Sequence, residues 1–176
     1  MSTSSSYHHG DLRQAVLQKA GQILEKEGIE ALSLREVARR AGVSHNAPYR
    51  HFPDRESLLA ALAAEGFEML GDALERRPRQ EMGEAYVDFA LAHPERFRLM
   101  FGGRVKLEQP DPRAYEGLKK SFADLGEDAP YAAAAAWGLV HGLSHLLLDG
   151  HFAGEERKRF VRAVLSSVRF SAPRKP

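Results

Sequence analysis

The chain has 176 residues, 25 Lys and Arg against 24 Asp and Glu, a formal net charge of +1, and no cysteine. Without cysteine there is no disulfide framework, thiolate zinc site, cysteine nucleophile or thiol redox sensor, which fits a cytoplasmic address. A near-zero net charge neither favours nor excludes polyanion binding, because that depends on a local basic surface.

The opening MSTSSSYHHG (residues 1–10) lacks the apolar core of a signal peptide and reads as a flexible arm. Asp11 is then placed to cap a first helix whose stripe is Leu12, Val16, Ala20, Ile23 and Leu24, with Gly28 as its left-handed stop. Ser33-Leu-Arg-Glu36 is a capping box for a short second helix that turns Leu34, Val37, Ala38 and Ala41 inward and ends at Gly42. Ser44 is placed to cap a third helix carrying His45, Asn46, Ala47, Tyr49, Arg50 and His51, with Val43 and Phe52 anchoring its ends. Pro48 falls near that helix's start, where it forfeits one hydrogen bond and can bend the segment.

Asp54 caps a long fourth helix with Leu58, Leu62, Met69 and Leu70 in register, broken at Arg76-Arg77-Pro78-Arg79. Beyond it lie a helix around Tyr86 and Phe89 that ends near His93, a short one from Pro94 to Gly102-Gly103, and one opened by Asp111-Pro112. Two long helices follow, roughly residues 130–149 and 155–169, and a tail at 171–176 is interrupted by Pro173 and Pro176. The apolar stretch 129–148 contains His141, Ser144 and His145, so it reads as a buried soluble helix, not a membrane span. No alternating β-branched run or Asn-Gly turn appears, and the expectation is an all-α protein of about nine helices. Its divisions are a 1–10 arm, a DNA-binding domain at 11–56, a ligand-binding and dimerisation domain at 57–170, and the 171–176 tail.

A short helix, a glycine turn and a second helix with polar residues at its start make a helix-turn-helix. The strings LREVARRAGVS (residues 34–44) and PYRHFPDRESLL (residues 48–59) resemble the TetR family of transcriptional repressors. More loosely, YVDFALAHPERFRLMFG (86–102) and WGLVHG (137–142) resemble the branch whose C-terminal domain is named for Trp, His and Gly. The resemblance implies a repressor that binds palindromic operator DNA as a homodimer and is released by a small apolar or aromatic inducer.

It also implies roles position by position. Ser33 and Ser44 lie at helix starts, where hydroxyls and amides hold phosphates. Arg35 reaches base edges, its alternative being a surface arginine paired to a nearby acid. Tyr49, His51 and Arg55 grip phosphates, and His45, Asn46, Ala47 and Arg50 meet base edges. The basic run Arg35, Arg39, Arg40, Arg50 and Arg55, against Glu36 and Asp54 alone, also reads as an ordinary solvated face.

In the C-terminal region the resemblance implies an inducer pocket, for which Phe89, Phe97, Phe101, Phe122, Trp137, His141 and His145 are candidates; each also reads as plain core. His141 and His145 are four apart on one face, but no Cys, Asp or Glu in that helix completes a metal set, so neither metal nor cofactor is expected. A homodimer seam is expected along Gly138 and Gly142 and along Phe160, Val161, Val164, Leu165 and Val168. No phosphate loop or nucleophile motif points to an enzyme. Beside the repressor stands one alternative, a helical module whose basic segment binds an acidic protein without sequence-specific DNA recognition.

Overall fold

The structure, a computed structural model, describes residues 9–105, 107, 110–152, 154 and 156–170, with side chains from residue 12. Among them are eight α-helices and no strand. The readings made for residues 1–8 and 171–176 lie outside the described residues.

Two compact units divide the chain, one formed by Met1–Gly66 with Glu95–Gln109 and the other by Phe67–Pro94 with Pro110–Pro176. This differs from a division at 56/57 in two ways. The long helix changes unit at Gly66, and the segment after Pro94 returns to the first unit.

In the first unit, α1 (His9–Glu27) begins before Asp11, so that residue sits inside the helix and is not its cap. Val16, Ala20, Ile23 and Leu24 make its buried stripe. α2 (Leu34–Ala41) opens at Ser33, whose Oγ accepts the Glu36 backbone N–H at 3.1 Å. Only half of the expected box forms, because the Glu36 carboxylate turns to Arg39 and Arg40. The helix stops at Gly42, whose left-handed φ of 67° a side chain resists; a Cβ there would meet nothing within 4 Å. Gly42→Ala should therefore cost about 1 kcal/mol through backbone conformation alone. Urea denaturation checks this, and a neutral result would mean the turn has relaxed out of the left-handed region.

The expected third helix is the main departure. Residues 45–47 form turns and only Pro48–Arg50 is helical, as a 3-10 turn. Proline has no N–H to donate back to Ser44, whose carbonyl takes the Ala47 N–H at 2.9 Å instead. Buried Pro48 and Phe52 then fix the segment to the core. Asp54 caps α3 (Arg55–Leu74) reciprocally with Ser57, Oδ1 accepting the Ser57 N–H at 2.7 Å and Ser57 Oγ accepting the Asp54 N–H at 3.3 Å. α5 (Pro94–Phe101) completes this unit, with Leu99 in the same apolar cluster as Val16, Leu34, Phe52 and Leu62. Phe97 and Phe101, whose rings lie 4.9 Å apart, belong to α5 and hence to this unit.

The second unit is built on α7 (Ala129–Leu148), which packs against α4 (Arg79–Ala92) and α6 (Arg113–Ser121), while α8 (Arg157–Ser167) lies on α4. The segment Ala123–Leu148 is long and apolar enough to cross a membrane by composition. In this fold α7 instead buries Ala133, Val140, Leu143 and Leu147 within the unit. Its opposite side leaves Tyr131, Ala134, Ala135, Gly138, Gly142 and Leu146 exposed. α8 approaches α4 closely because Gly83 has no side chain; a Cβ there would stand 3.0 Å from Leu165 Cδ1. Arg162 ties the pair with two 3.0 Å bonds to Glu84.

Candidate DNA-reading surface and effector cavity

The basic residues around the helix-turn-helix divide by what already holds them. Arg39 donates to Glu36 at 2.8 and 2.6 Å, and Arg40 joins Glu36 at 2.6 Å while also pairing with Glu27. Arg39 first and Arg40 second hold the Glu36 carboxyl down to about 2. Arg55, expected on a phosphate, donates to the carbonyls of Leu32 at 2.8 Å and Ile29 at 2.6 Å. The Ile29 carbonyl also takes the Leu32 N–H that closes the 3-10 turn at 3.2 Å, so the arginine adds a second bond there and supplies a donor to the Leu32 carbonyl.

Arg35 and Arg50 are exposed and have no ion-pair or hydrogen-bond partner among the described residues. With them on the surface are Ser33, Ser44, His45, Asn46 and Tyr49, the last 42% exposed, a conspicuous position for so large an amphipathic ring. Ala47 is half-buried. The Asn46 side-chain oxygen accepts a bond from His45 Nδ1 at 3.1 Å, and the His45 ring lies 6.0 Å from that of Tyr49. His51 is half-buried, with Nε2 shielded and unbonded among the described residues, so Nδ1 is the nitrogen left for a phosphate.

The second unit encloses a cavity of about 470 Å³. Its apolar wall includes Leu74, Met82, Leu118, Phe122, Trp137, Val140 and Phe170, and Arg79, Glu84 and Arg169 supply charge. The rings of Tyr86 and Tyr115 pack edge-on against Trp137 at 5.7 and 5.4 Å. Of the seven expected pocket residues, Phe122 and Trp137 line this cavity. Phe89 packs on His93 at 5.2 Å and stands away from it. Phe97 and Phe101 belong to the other unit, since spacing along a helix says which residues face inward but not into which unit.

His141 does not line the cavity but bonds to a residue that does, Tyr86, whose hydroxyl shares a 2.9 Å hydrogen bond with Nδ1, and the His145 ring stands 4.7 Å from that of His141. Burial first, then the His145 charge, pushes the His141 ionisation down, and burial pushes the Tyr86 phenol up. Both are neutral near neutral pH. Among the described residues no group of three or more His, Asp or Glu could hold a metal.

The seam expected on the last two helices divides as well. Val161 is buried within the chain, Leu165 packs over Gly83, and Leu165 and Val168 line the cavity. Of these, Leu165 is the one that the Gly83 notch draws onto α4. Phe160 and Val164 are half-buried, and Gly138 and Gly142 are exposed with open space around any added Cβ. Sequence reasoning missed Met82, Tyr86 and Phe170, residues that an apolar stripe alone does not distinguish from packing.

A family model described as "Bacterial regulatory proteins, tetR family" matches residues 16–62, and one described as "Tetracyclin repressor-like, C-terminal domain" matches residues 79–168. The chain is 30% identical over 163 residues to the HTH-type transcriptional repressor KstR of Mycolicibacterium smegmatis, spanning 89% of this chain and 72% of that protein. A solved protein of unknown function from Rhodococcus sp. RHA1 is 34% identical with a TM-score of 0.78, covering 93% of this chain and 96% of that one. A TetR-family regulator from Streptomyces coelicolor shares the fold at 21% identity and a TM-score of 0.73, covering 90% of this chain and 78% of that one.

Proposed function

The chain belongs to the TetR family of bacterial regulatory proteins, and from that premise we propose that it is a ligand-responsive repressor that binds palindromic operator DNA as a homodimer. The observation that carries this reading is the division of the basic residues. Arg39, Arg40 and Arg55 already bond to carboxylates or carbonyls of the chain, whereas Arg35 and Arg50 have no such partner among the described residues and belong to the same helix-turn-helix segment as exposed His45, Asn46 and Tyr49. Unpaired guanidiniums and an exposed amide in one segment can read guanine and adenine edges, and Tyr49, Ser33, Ser44 and His51 would supply phosphate contacts. Ala47, half-buried, offers at most a methyl contact to thymine.

A small apolar or aromatic molecule in the 470 Å³ cavity, within the usual size range of ligand sites, would favour the DNA-free form by binding it more tightly. The exposed face of α7 with Gly138 and Gly142, which carries no Asp, Glu, Lys or Arg, supports two-fold pairing, to which Phe160 and Val164 of α8 would add. That pairing would set two heads on half-sites about 34–36 Å apart or a multiple of it.

Selection of bound DNA from a random pool tests the function directly, with a palindromic consensus expected. In the selected site, Asn46→Ala should relax preference at one base pair per half-site by about 1–3 kcal/mol, while Tyr49→Phe weakens all sequences alike. Arg55→Gln should instead lower stability, given its two carbonyl bonds. Equal weakening of every sequence by Asn46→Ala would remove Asn46 from the base-reading set.

A further inference from the structure

Leu74 and Met82 are buried, and they line not only the effector cavity but also a neighbouring hollow of about 290 Å³. The second hollow has different chemistry. Around it stand Arg76, Arg77, Arg113 and Lys120, against Glu75 and Glu116. Arg113 is already satisfied by Asp72 at 2.6 Å and Asp111 at 2.7 Å, and Arg77 donates to the Ala73 carbonyl with Glu81 at 4.0 Å. Glu116 pairs with Lys119 at 3.5 Å, on the adjacent position to Lys120. Arg76 and Lys120 are exposed and have no ion-pair or hydrogen-bond partner among the described residues.

Arg76 follows the end of α3 at φ 61°, in the left-handed region where helices ordinarily end on glycine or asparagine. A long cation is thus held beside the hollow at a backbone position that disfavours it. The wall between the two spaces can yield: Met82 is unbranched with several free torsions, and Gly117 presents no side chain to it.

We propose that the two hollows form one site for an amphiphile with a phosphate-type anionic head. Its apolar body lies in the larger cavity against Trp137, and its head lies between Arg76 and Lys120. This rests on the reading of the larger cavity as the effector site. An apolar body gains by leaving water wherever it finds such a cavity, whereas the head gains most where a cation has no partner already; Arg79 holds Asp124 and Arg169 holds the Ser166 carbonyl, while Arg76 and Lys120 have none among the described residues.

Trp137 is the only tryptophan in the chain and lines the cavity, so its fluorescence reports binding there. Decyl phosphate, titrated below its micelle concentration, should bind at least about tenfold more tightly than decanol. Decyltrimethylammonium should bind no more tightly than decanol, and inorganic phosphate alone should leave the emission unchanged. In Arg76→Gly/Lys120→Gln, where glycine suits the left-handed backbone, decanol should bind as before and the phosphate preference should shrink to within about twofold. Equal affinities in the unaltered chain, or a preference that persists in the double variant, would overturn the head site and leave the cavity reading intact. Failure of both decanol and decyl phosphate to change Trp137 emission would overturn the cavity reading and the head site together.

Discussion

Arg96→Met is expected to lower the unfolding free energy by about 2–4 kcal/mol, a large share of the stability of a small domain. Arg96 is 5% exposed, the one buried cation among the described residues. It donates to Glu65 at 2.8 Å, to the Leu62 carbonyl at 3.1 Å and to Glu25 at 3.4 Å, so one guanidinium joins α1, α3 and α5. Methionine keeps much of the stem's packing but leaves two glutamates facing each other across the vacated position, with side chains 23% and 26% exposed. That partial exposure places the cost below that of a fully buried pair. The neighbouring Arg98, paired with Glu95 at 2.9 Å on the surface, is the comparator, and Arg98→Met should cost little. Urea denaturation followed by circular dichroism reads both. Replacing all three, as Arg96→Met/Glu25→Leu/Glu65→Leu, should recover most of the loss, since an apolar set needs no counter-charge. If Arg96→Met were as mild as Arg98→Met, the guanidinium would not be what fastens α5 to the first unit.

That clamp marks where sequence reading stopped. Ser33, Gly42 and Asp54 were legible because caps and stops depend on local chemistry, and each performs its local task in the structure. The Ser44–His51 segment was only half legible. Pro48 announced an irregularity, but whether the chain keeps an α-helix with one bond missing or tightens to a 3-10 turn depends on which amide takes the Ser44 carbonyl. Assigning Phe97 and Phe101 to the effector site assumed that chain order follows unit order. α5 breaks that assumption, since Leu99 enters the cluster of Val16 and Phe52. The signal lay in two helical glycines that had no assigned purpose. A Cβ at Gly21 would lie 2.6 Å from Arg96 Nη2, and one at Gly66 would lie 2.6 Å from Met100 Sδ. A glycine inside a helix, where it costs up to about 1 kcal/mol against alanine, indicates close approach by another element. It does not say which element. Similarly, Arg55 carries the charge expected of a phosphate contact, and its bonds to the Leu32 and Ile29 carbonyls, which join residues more than twenty positions apart, leave no local signal in the sequence.

Gly142→Glu, with Gly138→Glu beside it, should convert the protein to a folded monomer whose operator affinity falls at least about a hundredfold. The fall follows because the second head's binding is then no longer intramolecular. Both glycines lie on the exposed face of α7, and a Cβ at either meets nothing within 4 Å, so the fold of one chain has no reason to object. Replacing an interior helical glycine with glutamate should even favour the helix by up to about 1 kcal/mol. The same substitution is costly only if a second α7 packs there, because a carboxylate on each chain would meet its symmetry mate at close range with its water removed. No Asp, Glu, Lys or Arg occurs between Ala129 and Leu148, so the unaltered helix carries no permanent charge to neutralise the added one. Positions on α8 serve this test less well. Leu165→Arg would strike the chain's own contact with Gly83 and the cavity wall, and a loss of binding there would not separate dimerisation from folding or ligand response. Mass in solution and operator affinity are measured on the same samples, with far-UV circular dichroism confirming the helical fold. A folded Gly142→Glu variant that remains dimeric and binds the operator normally would move the seam off α7. A monomeric variant that still binds the operator at full affinity would instead remove the need for two linked heads.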